Sequence, residues 1–110
     1  TITDIRIQKI TRYISSHYAE KISVRKMADM VGLNPVYLGA LFKQETGMAL
    51  NHYLVKTRVR NAENLLRSGE YKVSAVAEYC GYCDVYHFYK QFKQIYGISP
   101  SGYIPKKGIS

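Results

Sequence analysis

The sequence predicts an all-α fold with two helix-turn-helix subdomains joined by a long linker helix, about seven helices in all. Apolar residues recur at three- and four-residue intervals along most of the 110 residues, and no stretch alternates as a strand does. Glycines follow most of these segments, as expected at helix ends. Gly32 and Gly81 each lie between two amphipathic segments, which is typical of a helix-turn-helix motif.

The first two helices precede Gly32. One is expected from about residue 3 to residue 18, and its inner side is formed by Ile7, Ile10, Tyr13 and Ile14. Asp4 lies in its first turn, where a negative charge suits the helix dipole. Ser23 is placed to cap the second helix. The inner face of that helix is expected to consist of Val24, Met27, Ala28 and Val31.

Asn34 and Pro35 predict the start of a third helix, because asparagine is a favoured N-cap and proline fits the first helical position. This helix should end at Gly47 and bury Leu38, Leu41 and Phe42. The longest periodic segment, 48–68, is the predicted linker helix, and its roughly 18 residues would form a rod about 27 Å long. The apolar side of that helix is expected to hold Leu50, Tyr53, Leu54, Arg58, Ala62, Leu65 and Leu66.

The second half of the chain follows the same order. A helix over 72–80 should end at Gly81 and bury Val73, Val76, Ala77 and Cys80. Asp84 caps the next helix, which is expected to bury Phe88 and Phe92 and to end at Gly97. Ser99 and Pro100 predict one more short helix, which runs through Tyr103.

The two halves form an internal repeat. Aligned at an offset of 49 to 50 residues, Gly32 falls on Gly81 and Gly47 on Gly97. We therefore expect a first helix-turn-helix subdomain over 1–47, a linker helix over 48–69 and a second subdomain over 70–110. Successive major-groove faces of B-DNA lie about 34 Å apart. A linker helix of about 27 Å could hold the second helix of each helix-turn-helix motif on the same side of a duplex.

The charge of the chain favours an anionic partner. Sixteen Lys and Arg residues against eight Asp and Glu residues leave a net charge of +8, which favours nucleic acid or an acidic membrane surface. The basic residues are spread over several helices, which indicates a shaped binding surface and not a membrane anchor. A soluble basic protein without such a partner is the plain alternative. No apolar run is long enough to span a membrane.

The residues that could support catalysis or bind metal form no convincing set. Cys80 and Cys83 make a C-x-x-C, but there is no second pair of cysteines, and His87 alone would leave a zinc site incomplete. We expect Cys80 to be a buried, reduced thiol, which suits a cytosolic protein. We predict no cofactor, no metal and no enzymatic activity, since no nucleophile, phosphate-loop or paired-carboxylate motif is present.

Residues 22–103 resemble the AraC/XylS family of bacterial transcription regulators. The resemblance rests on three stretches, Ser23-x3-Met27–Ala28-x3-Gly32–Leu33–Asn34–Pro35-x-Tyr37–Leu38-x2-Leu41–Phe42–Lys43, Tyr53–Leu54-x3-Arg58-x3-Ala62-x2-Leu65–Leu66 and Gly81–Tyr82-x-Asp84-x3-Phe88-x3-Phe92–Lys93-x3-Gly97–Ile98–Ser99–Pro100. The sequence of residues 34–39 is similar to that of the family branch whose members are attached to response-regulator receiver domains. The resemblance implies a C-terminal DNA-binding domain whose two second helices enter adjacent major grooves of double-stranded DNA.

The resemblance also implies which residues meet DNA. Bases would be contacted by Val36, Gly39 and Ala40 in the first module and by Val85, Tyr86, Tyr89 and Lys90 in the second. Phosphates would be contacted by Asn34, Tyr37, Lys43 and Lys93. Valine, glycine and alanine offer no paired donor and acceptor, so we expect sequence reading to be weighted to the second module. Simple exposure is the alternative for Tyr86 and Tyr89, and a solvated helix face is the alternative for Lys43 and Lys93.

The function expected is transcription regulation by a cytoplasmic activator. Its partners would be double-stranded DNA, RNA polymerase and an N-terminal sensor or receiver domain, and no membrane. Because the chain begins with Thr1, we expect it to be a piece of a longer protein. The alternative is a basic helical module that mainly binds protein.

Overall fold

A computed structural model describes residues 2–105. Over that range the backbone forms six α-helices and one 3₁₀ helix, and it contains no strand. The helices are α1 Ile5–His17, α2 Val24–Met30, α3 Pro35–Thr46, α4 Leu50–Ser68, α5 Val73–Tyr79 and α6 Val85–Tyr96, followed by the 3₁₀ helix Pro100–Tyr103. The predicted all-α class with about seven helices is confirmed. The prediction for residues 106–110, as part of the second subdomain, lies outside the described residues.

The chain divides into two compact units, Thr1–Thr57 and Arg58–Ser110. The boundary lies within α4, so each unit contains one helix-turn-helix and a part of the helix predicted as the linker. With 19 residues, α4 is about 28 Å long. The division into subdomains over 1–47 and 70–110 with a separate linker stays a prediction.

The core of the first unit is built from α1, α2, α3 and the start of α4. Its buried side chains are Ile7, Ile10, Ile14, Met27, Ala28, Leu38, Leu41, Phe42, Leu50 and Leu54. Burying each large apolar side chain contributes roughly 1.5–3 kcal/mol. One expectation was wrong, since Val24 is 39% exposed. Val24 is the first residue of a seven-residue helix, and only Met27 and Ala28 of α2 are fully buried.

The core of the second unit is more aromatic. Its buried side chains are Val59, Ala62, Leu66, Val76, Ala77, Cys80, Tyr82, Phe88, Phe92 and Pro100. The Phe92 ring lies 4.9 Å from the Tyr96 ring and 5.3 Å from the Tyr103 ring, so the 3₁₀ helix packs on the end of α6. The burial of Val59 is not indicated by the periodicity of 48–68, because a single apolar side would have to serve one core, whereas the two ends of α4 belong to different cores.

Side-chain caps set most helix starts. The Ser23 hydroxyl accepts a hydrogen bond from the Lys26 N–H at 3.1 Å, as expected of an N-cap. The Asp4 carboxylate accepts one from the Arg6 N–H at 2.8 Å, so Asp4 caps α1 from outside the helix instead of occupying its first turn. Gly47 and Gly97 close α3 and α6 in the left-handed conformation, with φ of 76° and 80°.

Candidate nucleic-acid interface

The first helix-turn-helix consists of α2, the turn 31–34 and α3. The turn closes when the Leu33 N–H donates to the Ala28 carbonyl at 3.0 Å, with Gly32 at φ 70°. The Asn34 side-chain oxygen then accepts from the Tyr37 N–H at 2.8 Å, and Pro35 occupies the first turn of α3. The predicted cap and proline start are therefore both present.

The outward side of α3 carries the residues predicted to meet DNA. Leu38, Leu41 and Phe42 are buried, so the other side of the helix faces solvent. Val36 is 85% exposed. Tyr37, Ala40 and Lys43 are also exposed, and Gly39 is half-buried. The polar groups among the exposed residues of α3 are the Tyr37 hydroxyl, the Lys43 ammonium and the Gln44 amide, whereas Val36 and Ala40 offer only methyl groups.

The second helix-turn-helix consists of α5, the turn 80–84 and α6, and it repeats the first turn closely. The Tyr82 N–H donates to the Ala77 carbonyl at 3.0 Å, which is the same bond at the same distance as in the first turn. Gly81 has φ 99°. The Asp84 carboxylate accepts from the Tyr86 N–H at 3.0 Å and caps α6. The internal repeat predicted from the sequence is therefore a structural repeat as well.

The outward side of α6 is larger and more polar than that of α3. Phe88 and Phe92 are fully buried. Tyr86 is 79% exposed. Val85, Tyr89, Lys90 and Lys93 are exposed as well. Two tyrosine hydroxyls and two ammonium groups therefore lie on one side of a capped helix.

The two lysines predicted to contact phosphate occupy equivalent places. Lys43 and Lys93 lie in the last turns of α3 and α6, and both side chains are exposed. Their carbonyls accept from the Gly47 and Gly97 N–H groups at 2.8 Å. The backbone at both positions is thus fixed while the ammonium groups remain available to solvent.

One contact near the first module was missed by the sequence analysis. The Arg6 guanidinium forms an ion pair with the Asp4 carboxylate at 2.9 Å, and this pair, with a weaker contribution from the Tyr37 hydroxyl, raises the pKa of Arg6. In turn, the bond to Arg6 lowers the pKa of Asp4. The Arg6–Asp4 ion pair therefore lies beside Tyr37 in the first turn of α3. The contact between Arg6 and Tyr37 joins α1 to α3. The periodicity of α1 does not indicate which helix it packs against, so this contact could not be predicted from the sequence.

Tyr82 was also missed, although it belongs to the quoted family pattern. Its ring is buried and lies 5.1 Å from the Phe88 ring of α6, and its hydroxyl donates to the Gln91 side-chain oxygen at 2.5 Å. Burial raises the pKa of Tyr82 to about 12. The guanidinium carbon of Arg58 lies 5.9 Å from the Tyr82 ring centroid, which is a cation–π distance.

Cys80 has the buried position predicted for it, whereas no position was predicted for Cys83. Cys80 is buried and Cys83 exposed, and both are free. Burial raises the pKa of the Cys80 thiol to about 11, so it remains protonated at neutral pH. Within residues 2–105 no three His, Cys, Asp or Glu side chains come together as a metal site. Over the same range no helix has the length and apolar character needed to cross a membrane.

Comparison with known proteins identifies the architecture. A family profile described as "Helix-turn-helix domain" matches residues 27–105, which run from within α2 through the second helix-turn-helix and the 3₁₀ helix. The HTH-type transcriptional activator RhaS of Escherichia fergusonii is 34% identical over 98 residues, which are 89% of this chain. The chain belongs to the AraC/XylS family of transcription regulators.

Solved structures of AraC/XylS-type domains share the fold. The C-terminal domain of AraT, a response regulator from Geobacillus stearothermophilus, is similar with a TM-score of 0.88 and 28% identity, covering 97% of this chain and 93% of that one. The DNA-binding domain of AdpA, a global transcriptional factor solved with a target DNA, is similar with a TM-score of 0.84 and 25% identity, covering 91% and 90%. The chain spans about a third of the length of the curated relatives it matches, 35% in the case of RhaS.

Proposed function

We propose that this chain binds double-stranded DNA sequence-specifically, with α3 and α6 in adjacent major grooves, and that it serves transcription regulation as an activator. The observation that carries the proposal is the pair of capped helices, each following the same glycine turn and each exposing the side opposite its buried residues. Family membership supports it, as do the transcriptional activator RhaS and the AdpA domain solved with DNA. The net charge of +8 is positive, as expected of a protein that binds the phosphates of DNA.

The two helices would read bases differently. In α3, Val36 and Ala40 would place methyl groups against bases, and Gly39 would allow the backbone to approach closely. In α6, the residues that would meet bases are Val85, Tyr86, Tyr89 and Lys90. The ammonium of Lys90 can donate to guanine acceptors, and a tyrosine hydroxyl can donate or accept. Sequence reading would therefore depend mainly on α6.

Phosphate contacts would come from the ends of the same helices. The oxygen of Asn34 is held by the Tyr37 N–H, so the Asn34 amide N–H groups and the Tyr37 hydroxyl would donate to a phosphate near the start of α3. Lys43 and Lys93 would reach phosphates from the last turns of α3 and α6. Such contacts position the protein on the duplex without discriminating among sequences.

The remaining partners belong to the longer protein implied by the relatives. Since the chain spans about a third of its curated relatives, we infer that an N-terminal sensor or receiver domain controls it, and the similarity to a response-regulator domain favours a receiver. RNA polymerase would be the partner in activation. The compartment would be the cytoplasm, where bacterial promoters lie, and binding would need no membrane and no cofactor.

A salt titration with selected DNA tests the proposal. Duplexes would first be selected from a random pool, and the affinity for the winning sequence would then be measured between about 50 and 200 mM salt. We expect log affinity to fall linearly with log salt, at about 0.9 in slope per phosphate neutralised. No duplex binding at low salt would contradict the proposal and favour the protein-binding alternative.

Paired alanine variants test the division of roles. Lys90→Ala should relax base preference at one position by about 1 kcal/mol, because it removes a base contact. Lys43→Ala should weaken binding about equally on all sequences and lower the salt slope by about 1, because it removes a phosphate contact. Lys21→Ala removes the same charge from the exposed connection between α1 and α2 and serves as control. The reverse pattern between Lys90 and Lys43 would contradict the assignment.

A further inference from the structure

In the second unit Tyr82 contacts two polar side chains, Arg58 of α4 and Gln91 of α6, and we term these three residues the Tyr82 cluster. The Tyr82 hydroxyl donates to the Gln91 side-chain oxygen at 2.5 Å, and Tyr82 is only 6% exposed. The guanidinium carbon of Arg58, a residue of α4, lies over the same ring, 5.9 Å from its centroid. The hydrogen bond therefore joins the helix-turn-helix turn to the middle of α6.

The first unit carries two leucines at the positions equivalent to Tyr82 and Gln91. In the repeat alignment Leu33 stands where the second unit has Tyr82, and Leu41 where it has Gln91. Leu41 is part of the apolar core and Leu33 packs against that core. Apolar packing is non-directional, whereas a hydrogen bond specifies both a distance and an angle. The rotation of α6 about its axis is thus restrained by a hydrogen bond near its middle, whereas the hydrogen bonds that hold α3 lie near its C-terminal end, where Glu45 Oε1 accepts from the Thr3 and Asp4 N–H groups at 3.0 and 2.9 Å.

The Tyr82 ring adds packing contacts on the same side. Its centroid lies 5.1 Å from the Phe88 ring and 5.7 Å from the His87 ring. Phe88 is fully buried, while Tyr86 and Lys90 are exposed on the outward side of the helix. Through Phe88, the Tyr82 ring therefore contacts the buried side of α6, opposite the side that carries Tyr86 and Lys90.

We propose that Tyr82 is a positioning residue for DNA recognition, which holds α6 at the rotation that brings Tyr86, Tyr89 and Lys90 into register with base edges. This inference rests on the proposed function. An α-helix with its side chains is about 10–12 Å across, so a rotation of about 10° moves a side-chain tip by about 1 Å. A displacement of that size breaks a base hydrogen bond, whose donor–acceptor distance spans only about 2.7–3.2 Å.

The test separates positioning from stability with one single and one double variant. Tyr82→Phe removes the hydroxyl, keeps the ring and leaves the Gln91 oxygen without its donor. Tyr82→Phe/Gln91→Leu replaces both partners by apolar groups, as in the first unit, so no polar atom is left unsatisfied. Tyr79→Phe removes a hydroxyl from a tyrosine that is 66% exposed and serves as the matched control. The probes are the duplex selected by the wild-type chain and its single base-pair substitutions.

We expect Tyr82→Phe to lose about threefold to tenfold discrimination in the half-site assigned to α6 by Lys90→Ala, and none in the other half-site. Its melting temperature should fall. The double variant should regain melting temperature while its discrimination stays reduced, and Tyr79→Phe should match the wild-type chain in both measurements.

Two results would overturn the inference. One is unchanged discrimination in Tyr82→Phe. The other is recovery of discrimination together with melting temperature in the double variant, which would show that Tyr82 acts through stability alone. A wild-type chain that selects no duplex overturns the proposed function and this inference with it, whereas intact selection with an unaffected Tyr82→Phe variant overturns this inference only.

Discussion

At the scale of the residue, Gly81 shows how one backbone conformation determines a turn. Its φ of 99° lies in a region that other residues rarely adopt, and its N–H donates to the Glu78 carbonyl at 3.1 Å. Gly32 holds the same place in the first unit, with φ 70°. Both glycines could be identified from the sequence because each lies between two amphipathic segments.

Replacing Gly81 should therefore destabilise the protein. We expect Gly81→Ala to lower the free energy of unfolding by about 1–2 kcal/mol, the cost of a left-handed conformation for a residue with a Cβ, and Gly81→Val to lower it further. The matched control is Gly39→Ala in the interior of α3, where an added Cβ meets nothing within 4 Å. That change should raise stability by about 0.5–1 kcal/mol. Urea denaturation measures the free energy of unfolding of both variants. Equal stability of Gly81→Ala and the wild-type chain would refute backbone strain at residue 81.

At the scale of the element, the helices differ in how they begin. Helices α2, α3 and α6 each start at a side chain that accepts a backbone hydrogen bond. The N-cap of α5 is Lys72, which makes no such bond. Its positive charge also lies at the positive end of the helix dipole. Since α5 has only seven residues, its start contributes a large share of its stability.

A capping residue at this position should stabilise the second unit. We expect Lys72→Ser to raise the free energy of unfolding by about 0.5–1 kcal/mol, because Lys72 already has the extended backbone of an N-cap. Lys21→Ser makes the same change of charge and size in an exposed connection and should leave stability unchanged. Thermal denaturation of both variants at low and high salt separates the stabilisation by the new cap from the effect of removing a charge, because salt screens only the charge effect. If the two variants behave alike, the missing cap is not the cause.

At the scale of the whole molecule, the second unit buries groups that ionise at alkaline pH. Burial raises the pKa of Cys80 from 9.0 to about 11 and that of Tyr82 from 10.0 to about 12. The pKa of Tyr96 is raised to about 12 by burial and by its hydrogen bond to Glu63. The unfolded chain would release these protons from about pH 9–10, whereas the folded chain retains them. Their contribution to stability is therefore complete below about pH 9 and is lost as the pH rises towards 11–12.

The melting temperature should accordingly fall between about pH 9 and pH 11. In Tyr82→Phe and Tyr96→Phe the fall should be shallower, because one linked proton is removed in each. Tyr86→Phe, which removes an exposed hydroxyl, should keep the wild-type slope. The comparison among variants matters because lysines also lose their charge in this range. Parallel slopes in all four proteins would contradict the linkage.

Much of the architecture could be predicted because it depends on local chemistry. The caps at Ser23, Asn34 and Asp84 and the glycine ends at Gly47 and Gly97 follow from preferences of single residues, and all are confirmed. The buried and exposed sides of α3 and α6 follow from helical periodicity. The identities of the residues that meet DNA stay predictions, since exposure is necessary for contact but does not establish it.

The amino-acid sequence by itself determined the helices, their order, the repeat of two helix-turn-helix motifs and the family, because these depend on residue preferences and periodicity within short stretches. Only the tertiary structure decided that Val24 is exposed, that Val59 is buried and that Tyr82 donates to Gln91. These outcomes depend on which helices pack together and on where long side chains end after packing. Short-range patterns do not contain that information, because a side chain buried between elements takes its partner from whichever neighbour the fold supplies.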